Sequence, residues 1–192
     1  MSKLTISLLT CAGLAFGGAA GAAPISKDAY KAEKDRVEAA YKADKDACAP
    51  LKDNAKDVCV ERAKAKEKIA KAENEAAYKD TEKARYDARI AHAEADYSVA
   101  KEKCDDLSGN QKDVCVKEAK AAQVKAKADA KVAHVSNDTS RTAAVKQQDA
   151  RRDAAEDKRD ANYKVAAEKC DSLSGAAKDQ CVKDAKMRYG KM

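Results

Sequence analysis

The sequence has few of the residues that build an ordinary globular core. Its 192 residues include no tryptophan, one phenylalanine and two prolines. Past residue 22, the large aliphatic side chains are only three isoleucines, three leucines and twelve valines. They make up about 11% of that part, well below the ~20% at which disorder becomes the default expectation. A conventional globular core is therefore not expected.

The residues that are abundant favour helices. Alanine has the highest intrinsic helix propensity, and lysine, glutamate and arginine follow closely. Charged residues make up 38% of the chain, with both signs interleaved and a net charge of +6. This mixture favours solubility and ion pairs along helix surfaces. A nucleic-acid binder usually gathers its positive charge into a stripe or a tail, so nucleic acid is not expected as a partner. A histone-like polyanion binder is the last-ranked alternative.

The first residues have the layout of a secretory signal peptide. One lysine precedes an apolar run from Leu4 to about Ala20, and small residues follow. Residues 1–22 are therefore predicted to be removed, so that the mature chain begins near Ala23 in the periplasm. The Gly-rich run is a poor match to the ~20 strongly apolar residues of a membrane span, and no transmembrane span is predicted in the mature chain. Cys11 raises the alternative of a lipoprotein, but the residue before it is not small.

Six cysteines remain after the signal peptide, an even number in a compartment that permits disulfides. They lie in three similar segments, each with ten residues between its two cysteines. Folding a segment into an antiparallel helical hairpin brings its cysteines together, because both are about equally far from the turn. The hairpin repeats span about 41–64, 97–120 and 163–186, and the predicted disulfides are Cys48–Cys59, Cys104–Cys115 and Cys170–Cys181. Each bridge contributes ~2.5 to 3 kcal/mol in the chain-entropy model, so the disulfides substitute for a core.

Further apolar residues keep a fixed spacing around each first cysteine. A tyrosine precedes it by seven residues and a leucine follows it by three. These residues are Tyr41, Tyr97 and Tyr163 with Leu51, Leu107 and Leu173. The spacing predicts a coiled-coil seam with the cysteine and its neighbours on the buried face. Asp44 places a charge in the first seam, whereas Ala63, Ala119 and Ala185 continue the seams beyond the turns.

The turns have helix stop and start signals. Gly109 and Gly175 are predicted to occupy the C′ position after a helix, and Asn110 to cap the next helix. The first turn has no glycine at the matching position, so the sequence defines the backbone geometry of this turn less well.

The predicted fold class is all-α, with elongated, coiled-coil-like antiparallel hairpins across residues 23–192. Because no glycine or proline occurs between Cys59 and Cys104, one helix is predicted from about 54 to 107. The cluster at 134–140, HVSNDTS, favours a break. Further helices are predicted at about 140–172 and 176–189. A three-helix bundle and a strung array both remain open.

No residue set points to catalysis, a cofactor or a metal. Known zinc sites place two cysteines two to four positions apart rather than eleven, and the Cys-x-x-Cys redox motif is absent. Metal binding and thiol exchange therefore rank below structural disulfides. Of the two histidines, His92 is expected to be solvated and His134 to pack at or cap a helix end. The chain is expected not to be an enzyme and to have no small-molecule substrate.

The signal peptide together with AKDVCVERAKAKEK and YKVAAEKCDSLSGAAKDQC resembles small exported helical proteins of Gram-negative bacteria that are often labelled TolA-like or cell envelope biogenesis proteins. The resemblance covers nearly all of the mature chain. It implies a non-enzymatic periplasmic scaffold or interaction protein of the envelope, which binds unknown envelope proteins or associates with itself. Unlike TolA, the chain is expected to lack a retained membrane anchor and a globular C-terminal domain. A stress-protective, chaperone-like protein is the alternative, because the core is thin and the charge high.

Overall fold

The computed structural model describes residues 23–137 and 142–191, so the predicted signal peptide and Cys11 lie outside the described residues. Within these ranges the chain forms six α-helices and one short 3-10 helix, with no β-strand. The helices are α1 (Lys27–Ala47), α2 (Asp53–Lys79), α3 (Glu82–Lys103), α4 (Gly109–Ser136), α5 (Ala143–Cys170) and α6 (Gly175–Tyr189), and the 3-10 helix is Cys104–Asp106. The predicted all-α fold class is confirmed.

The helices pack in chain order. Helix α1 packs on α2, α2 on α3, and so on to α6, and every substantial contact between helices of the described ranges joins chain neighbours. Short connections make successive helices antiparallel. Of the two arrangements that the sequence left open, the helices adopt the extended array rather than the closed three-helix bundle.

The interior between the helices is built mainly from alanine. Fourteen of the nineteen buried hydrophobic residues in the described ranges are alanines. On α3, Ala84, Ala88, Ala91 and Ala95 recur at helical spacing and form one buried stripe. Each methyl group buries little surface, and its burial stabilises the fold by only about 0.8 kcal/mol. The core is therefore thin, as the composition predicts.

All three predicted disulfides are present. Each joins cysteines eleven positions apart, with 5.7 Å between the two Cα atoms. Each bridge closes the turn between two successive antiparallel helices: α1 and α2, α3 and α4, and α5 and α6. The hairpin-clamping prediction is confirmed.

The single helix predicted from about 54 to 107 is wrong, because the chain reverses at Asp80 and Thr81. Asp80 adopts the left-handed conformation with φ 46°, and its N–H donates to the carbonyl of Ala76 at 2.9 Å. The side-chain oxygen of Thr81 then accepts the N–H of Ala84 at 3.1 Å and caps α3. Threonine is a favoured N-cap and aspartate tolerates the left-handed region. This signal was present in the sequence, although no glycine or proline marked it.

The break predicted at 134–140 is confirmed, since α4 ends at Ser136 and α5 begins at Ala143. Both later helices lie within three residues of their predicted bounds. Near the α4–α5 connection, the side-chain amide of Asn137 hydrogen-bonds to Glu82. This hydrogen bond is the main cause that holds the pKa of the Glu82 carboxyl below its ordinary value, and a hydrogen bond from Arg85 is the second cause. The Asn137–Glu82 hydrogen bond joins the end of α4 to the start of α3.

Helix α1 is fixed to α2 at its N-terminal part by polar and aromatic contacts. The ring of Tyr30 stacks on Tyr78 with 4.6 Å between centroids, and its hydroxyl donates to Glu75 at 2.7 Å. The buried side-chain amide of Asn74 donates to the Tyr30 carbonyl at 2.9 Å. These contacts hold an outer helix that has only two buried hydrophobic residues of its own at Val37 and its C-cap cysteine.

Candidate interaction surface

The three disulfide turns share one backbone conformation. In each turn, the N–H of the leucine three residues after the first cysteine donates to that cysteine's carbonyl, at 3.1, 3.0 and 2.9 Å. Two residues further on, the backbone enters the left-handed region with φ of 50°, 53° and 54° at Asp53, Gly109 and Gly175. The first turn therefore matches the other two, although Asp53 stands where they have glycine.

The predicted roles of the turn residues need correction. Gly109 and Gly175 are the first residues of α4 and α6 rather than C′ residues of the preceding helices. Asn110 does not cap α4, because its side-chain amide donates to the carbonyl of Glu168 at 2.9 Å. That hydrogen bond links the start of α4 to the end of α5.

The buried-seam prediction is correct for the first cysteines and wrong for the leucines. Cys48, Cys104 and Cys170 are the largest fully buried side chains of the described ranges. The leucines expose about two fifths of their surface: Leu51 41%, Leu107 40% and Leu173 43%. Their position inside the turn, beyond the helix end, breaks the helical spacing from which burial was inferred. These are also all the leucines that follow the predicted signal peptide.

The other seam residues divide between buried and partly exposed positions. Ala63, Ala119 and Ala185 are buried, as predicted, and the three tyrosines are half-buried. Lys120 lies over the ring of Tyr97, 5.2 Å from its centroid. Asp44, the charge in the first seam, forms an ion pair with Lys66 of α2 at 2.9 Å.

All three disulfide turns lie at one end of the array, because they are alternate reversals of an up-and-down chain. We call this the disulfide end and define it by residues 48–53, 104–109 and 170–175. The turns are also connected to one another. The Asn110–Glu168 hydrogen bond joins the two helices directly beside the second and third turns. A groove lined by Leu51 and Cys59 on one side and by Lys103 and Asp106 on the other joins the first and second.

Ion pairs brace the second and third turns in the same way. Lys112 pairs with Asp105 at 2.8 Å, and Lys178 with Asp171 at 2.9 Å. In each pair, hydrogen bonding to the carboxylate is the main cause that raises the pKa of the lysine. The first turn has alanine in place of this aspartate. The disulfide end therefore presents leucines among charges of both signs.

The strongest electrostatic site of the described residues lies away from the turns. The Glu94 carboxylate of α3 accepts hydrogen bonds from Lys127 of α4 at 2.7 Å and from Lys68 of α2 at 2.6 Å. Lys127 and then Lys68 lower the pKa of Glu94 to about 2. The arrangement ties three successive helices together.

The two histidines take part in contacts between helices. His134, in the last turn of α4, packs against Tyr86 with 5.0 Å between ring centroids, which confirms helix-end packing. His92 is more than the solvated residue that was expected, because its Nε2 lies 2.7 Å from Glu73 of α2.

Within the described ranges, no group of three or more histidine, cysteine or acidic side chains is arranged to hold a metal ion. No helix in residues 23–137 or 142–191 combines the length and the apolar character needed to cross a membrane.

Comparisons with protein-family models, with curated proteins and with solved structures each found no match to this chain. The resemblance to TolA-like proteins therefore stays a prediction.

Proposed function

We propose that this chain is a non-enzymatic periplasmic scaffold or interaction protein of the cell envelope, and that the disulfide end contacts its partner. One observation supports the proposal above all others. Every leucine after the predicted signal peptide occupies the same position in a disulfide turn, and all three side chains are exposed at one end of the array.

The turns preorganise the backbone of these leucines for binding. A hydrogen bond fixes the backbone of each leucine to its cysteine, and a disulfide fixes the two helices behind it. Little conformational entropy of the backbone is then lost on binding, and such preorganisation favours affinity.

The free energy gained by covering the three leucines limits how much of a binding interface they can form alone. Covering the exposed part of one leucine is worth about 1 kcal/mol, and a stable interface buries at least ~1,000 Å² in total. The leucines therefore act as anchors within a wider contact. Two helix spacings of about 8–10 Å separate successive turns, so the row of three is ~32–40 Å long. A partner that uses all three must extend along this row.

Site-specific photo-crosslinking in the native envelope tests the proposal. A photoreactive amino acid replaces Leu107 in one variant and Lys83, an 80% exposed side chain near the opposite end, in a matched variant. We expect discrete cross-linked products from position 107 and none of the same mass from position 83. A product that also forms with the purified protein identifies self-association, and one that needs the envelope identifies a second protein.

Two results would contradict this proposal. One is the same set of products from both positions, which indicates random collisions. The other is no product from position 107 or from equivalent variants at positions 51 and 173.

A stress-protective role is the second candidate, because exposed leucines on a thinly packed helical protein also suit the binding of unfolded clients. The oxidised protein would then suppress aggregation of a model client. A variant with Leu51, Leu107 and Leu173 all changed to serine would lose the suppression while keeping its helix content. The scaffold proposal expects no suppression by the unsubstituted protein.

A further inference from the structure

The two cysteines of each disulfide differ sharply in exposure. The first cysteines are enclosed, with 1% of Cys48 and 0% of Cys104 and Cys170 exposed. The second cysteines are only partly buried in all three hairpins: Cys59, Cys115 and Cys181. A threefold repetition of one asymmetry makes it a property of the hairpin design.

The helix positions explain this difference. Each first cysteine lies at the C-terminal end of a helix, and its sulfur packs against the carbonyl oxygen four residues earlier, at 3.2, 3.2 and 3.3 Å. Each second cysteine lies in the second turn of the following helix. Cys59, for example, lines the groove beside Leu51 at the disulfide end.

Exposure decides which sulfur an outside thiol can reach. Disulfides open when a thiolate attacks one sulfur and displaces the other, and access is one determinant of the sulfur attacked. We propose that Cys59, Cys115 and Cys181 are the sites at which an external thiol forms a mixed disulfide with this protein. The reagent class is a dithiol reductant, such as a thiol–disulfide oxidoreductase or a small dithiol.

The electrons and atoms balance in two exchange steps. First, the external thiolate sulfur bonds to Sγ of Cys59, the Cys48–Cys59 bond breaks, and Cys48 leaves as a thiolate that takes a proton from water. Second, the other thiol of the reductant, as its thiolate, attacks the external sulfur, so that the mixed disulfide breaks and Cys59 leaves and is protonated. The dithiol loses two electrons and the protein disulfide gains them.

The leaving group makes this reaction slow in the folded protein. The departing sulfur of each first cysteine is buried, faces a carbonyl oxygen and lies at the negative end of a helix dipole. All three features disfavour the negative charge that develops on the departing sulfur, and a poorer leaving group slows exchange. The less buried cysteine of each pair therefore determines where exchange occurs, and the buried cysteine determines how slowly it occurs.

Peptide mapping after limited exchange tests the inference with the full oxidised chain. Reduced glutathione is allowed to react until about a tenth of the chains carry it, acid stops exchange, and free thiols are then alkylated for mass mapping. We expect glutathione on Cys59, Cys115 and Cys181, and alkylation on their partners, with at least about a tenfold preference. Equal labelling or a preference for the first cysteines overturns the proposal.

The same reaction in denaturant is the matched control, because unfolding removes the difference in burial. There, the two cysteines of each pair should carry glutathione about equally, and exchange should be at least about tenfold faster than in the folded chain. Equal rates in the two conditions would overturn the assigned role of the buried leaving group. The test does not depend on the proposed envelope function, since it needs no partner from the envelope.

Discussion

At the scale of single residues, the conformation of the disulfide turns depends on one backbone position. Five residues after the first cysteine, φ lies between 50° and 54° in all three turns. For a residue with a Cβ atom, this left-handed conformation costs roughly 1–2 kcal/mol of conformational energy. The cost is smaller for aspartate, because its side chain can hydrogen-bond to the nearby backbone. Two turns have glycine here, and the first has Asp53.

Changing Gly109 to alanine should therefore lower the free energy of unfolding by about 1 kcal/mol. The cause is backbone strain alone, because a Cβ atom at this position would meet nothing within 4 Å. Urea denaturation of the oxidised protein measures the change. Gly175→Ala should show a similar loss and Asp53→Gly a smaller gain; an unchanged midpoint for Gly109→Ala would rule out the left-handed turn.

Glu94 predicts a pH dependence of stability. Its pKa of about 2 in the fold lies below the ordinary 4.5, so the unfolded chain binds a proton first as the pH falls. The stabilising contribution is thus complete above about pH 5 and is lost between pH 4.5 and 2. Because the carboxylate is partly exposed, solvent screening limits the contribution to about 0.5–1 kcal/mol.

Glu94→Gln should remove this contribution at pH 7 and match the unsubstituted protein near pH 2, as measured by urea midpoints across that range. Asp87→Asn is the control, since Asp87 lies on the same helix and forms an ion pair with the well-exposed Lys83. Parallel pH profiles for the unsubstituted protein and the Glu94 variant would contradict the double clamp by Lys68 and Lys127.

At the scale of helices and turns, the α2–α3 reversal is the one with no disulfide among the fully described turns. Its cap therefore matters. Thr81→Ala should destabilise the protein by about 1 kcal/mol, because the N–H of Ala84 loses its acceptor. Thr81→Ser keeps that acceptor and should retain most of the stability in the same chemical denaturation experiment. Equal losses for both variants would show that the hydroxyl is not the cause.

The disulfides should differ in importance with their place in the array. Replacing Cys104 and Cys115 together by alanine should cost up to about 2.5–3 kcal/mol, a large share of the 5–15 kcal/mol that stabilises a typical domain. The pair lies between helices that both have further neighbours, so its loss affects the middle of the molecule.

The matched variant replaces Cys170 and Cys181, which bridge to the last helix. Its loss should loosen α6, whose substantial contacts with the described helices are all with α5, and leave α2 to α4 protected. Hydrogen exchange on each variant distinguishes local from central loosening. The hairpin model would fail if both variants lost protection equally along the whole chain.

At the scale of the whole molecule, local chemistry determined what could be predicted from the sequence. Equal distances of two cysteines from a turn define a hairpin disulfide, and the cluster at 134–140 defines a helix end. Both rest on neighbours in the chain and both predictions were correct. The leucines were misplaced because helical spacing was extended through turns that are not helical.

The order of packing had no such local signal. Helix α3 buries alanine both in the stripe that includes Ala84 and Ala95 and outside it at Ala93, so its apolar pattern is not confined to one face. Because alanine is frequent throughout the chain, the sequence alone did not show which of these alanines would be buried. The structure distinguishes the two arrangements, because the substantial contacts between the described helices join only neighbours in the chain.

The predicted signal peptide leads to one further prediction for the whole chain. Protein isolated from the periplasm should begin at Ala23, and its intact mass should be lower than that of the reduced mature chain by six hydrogen atoms, two for each disulfide. Mass spectrometry with and without reductant measures both. An unprocessed N-terminus, or lipid attached at Cys11, would contradict the predicted cleavage.

Packing in chain order also governs how the molecule would yield to a mechanical load. Tension applied between its two ends would peel away one helix at a time, since removing an outer helix leaves the remaining neighbours in place. Each bridge would withhold its ten-residue loop from stretching, which shortens the fully extended chain by about 33–36 Å per loop. Reduction of the disulfides would add the length of these loops to the stretched chain. The contour length measured in a force–extension experiment would therefore report the oxidation state of the protein.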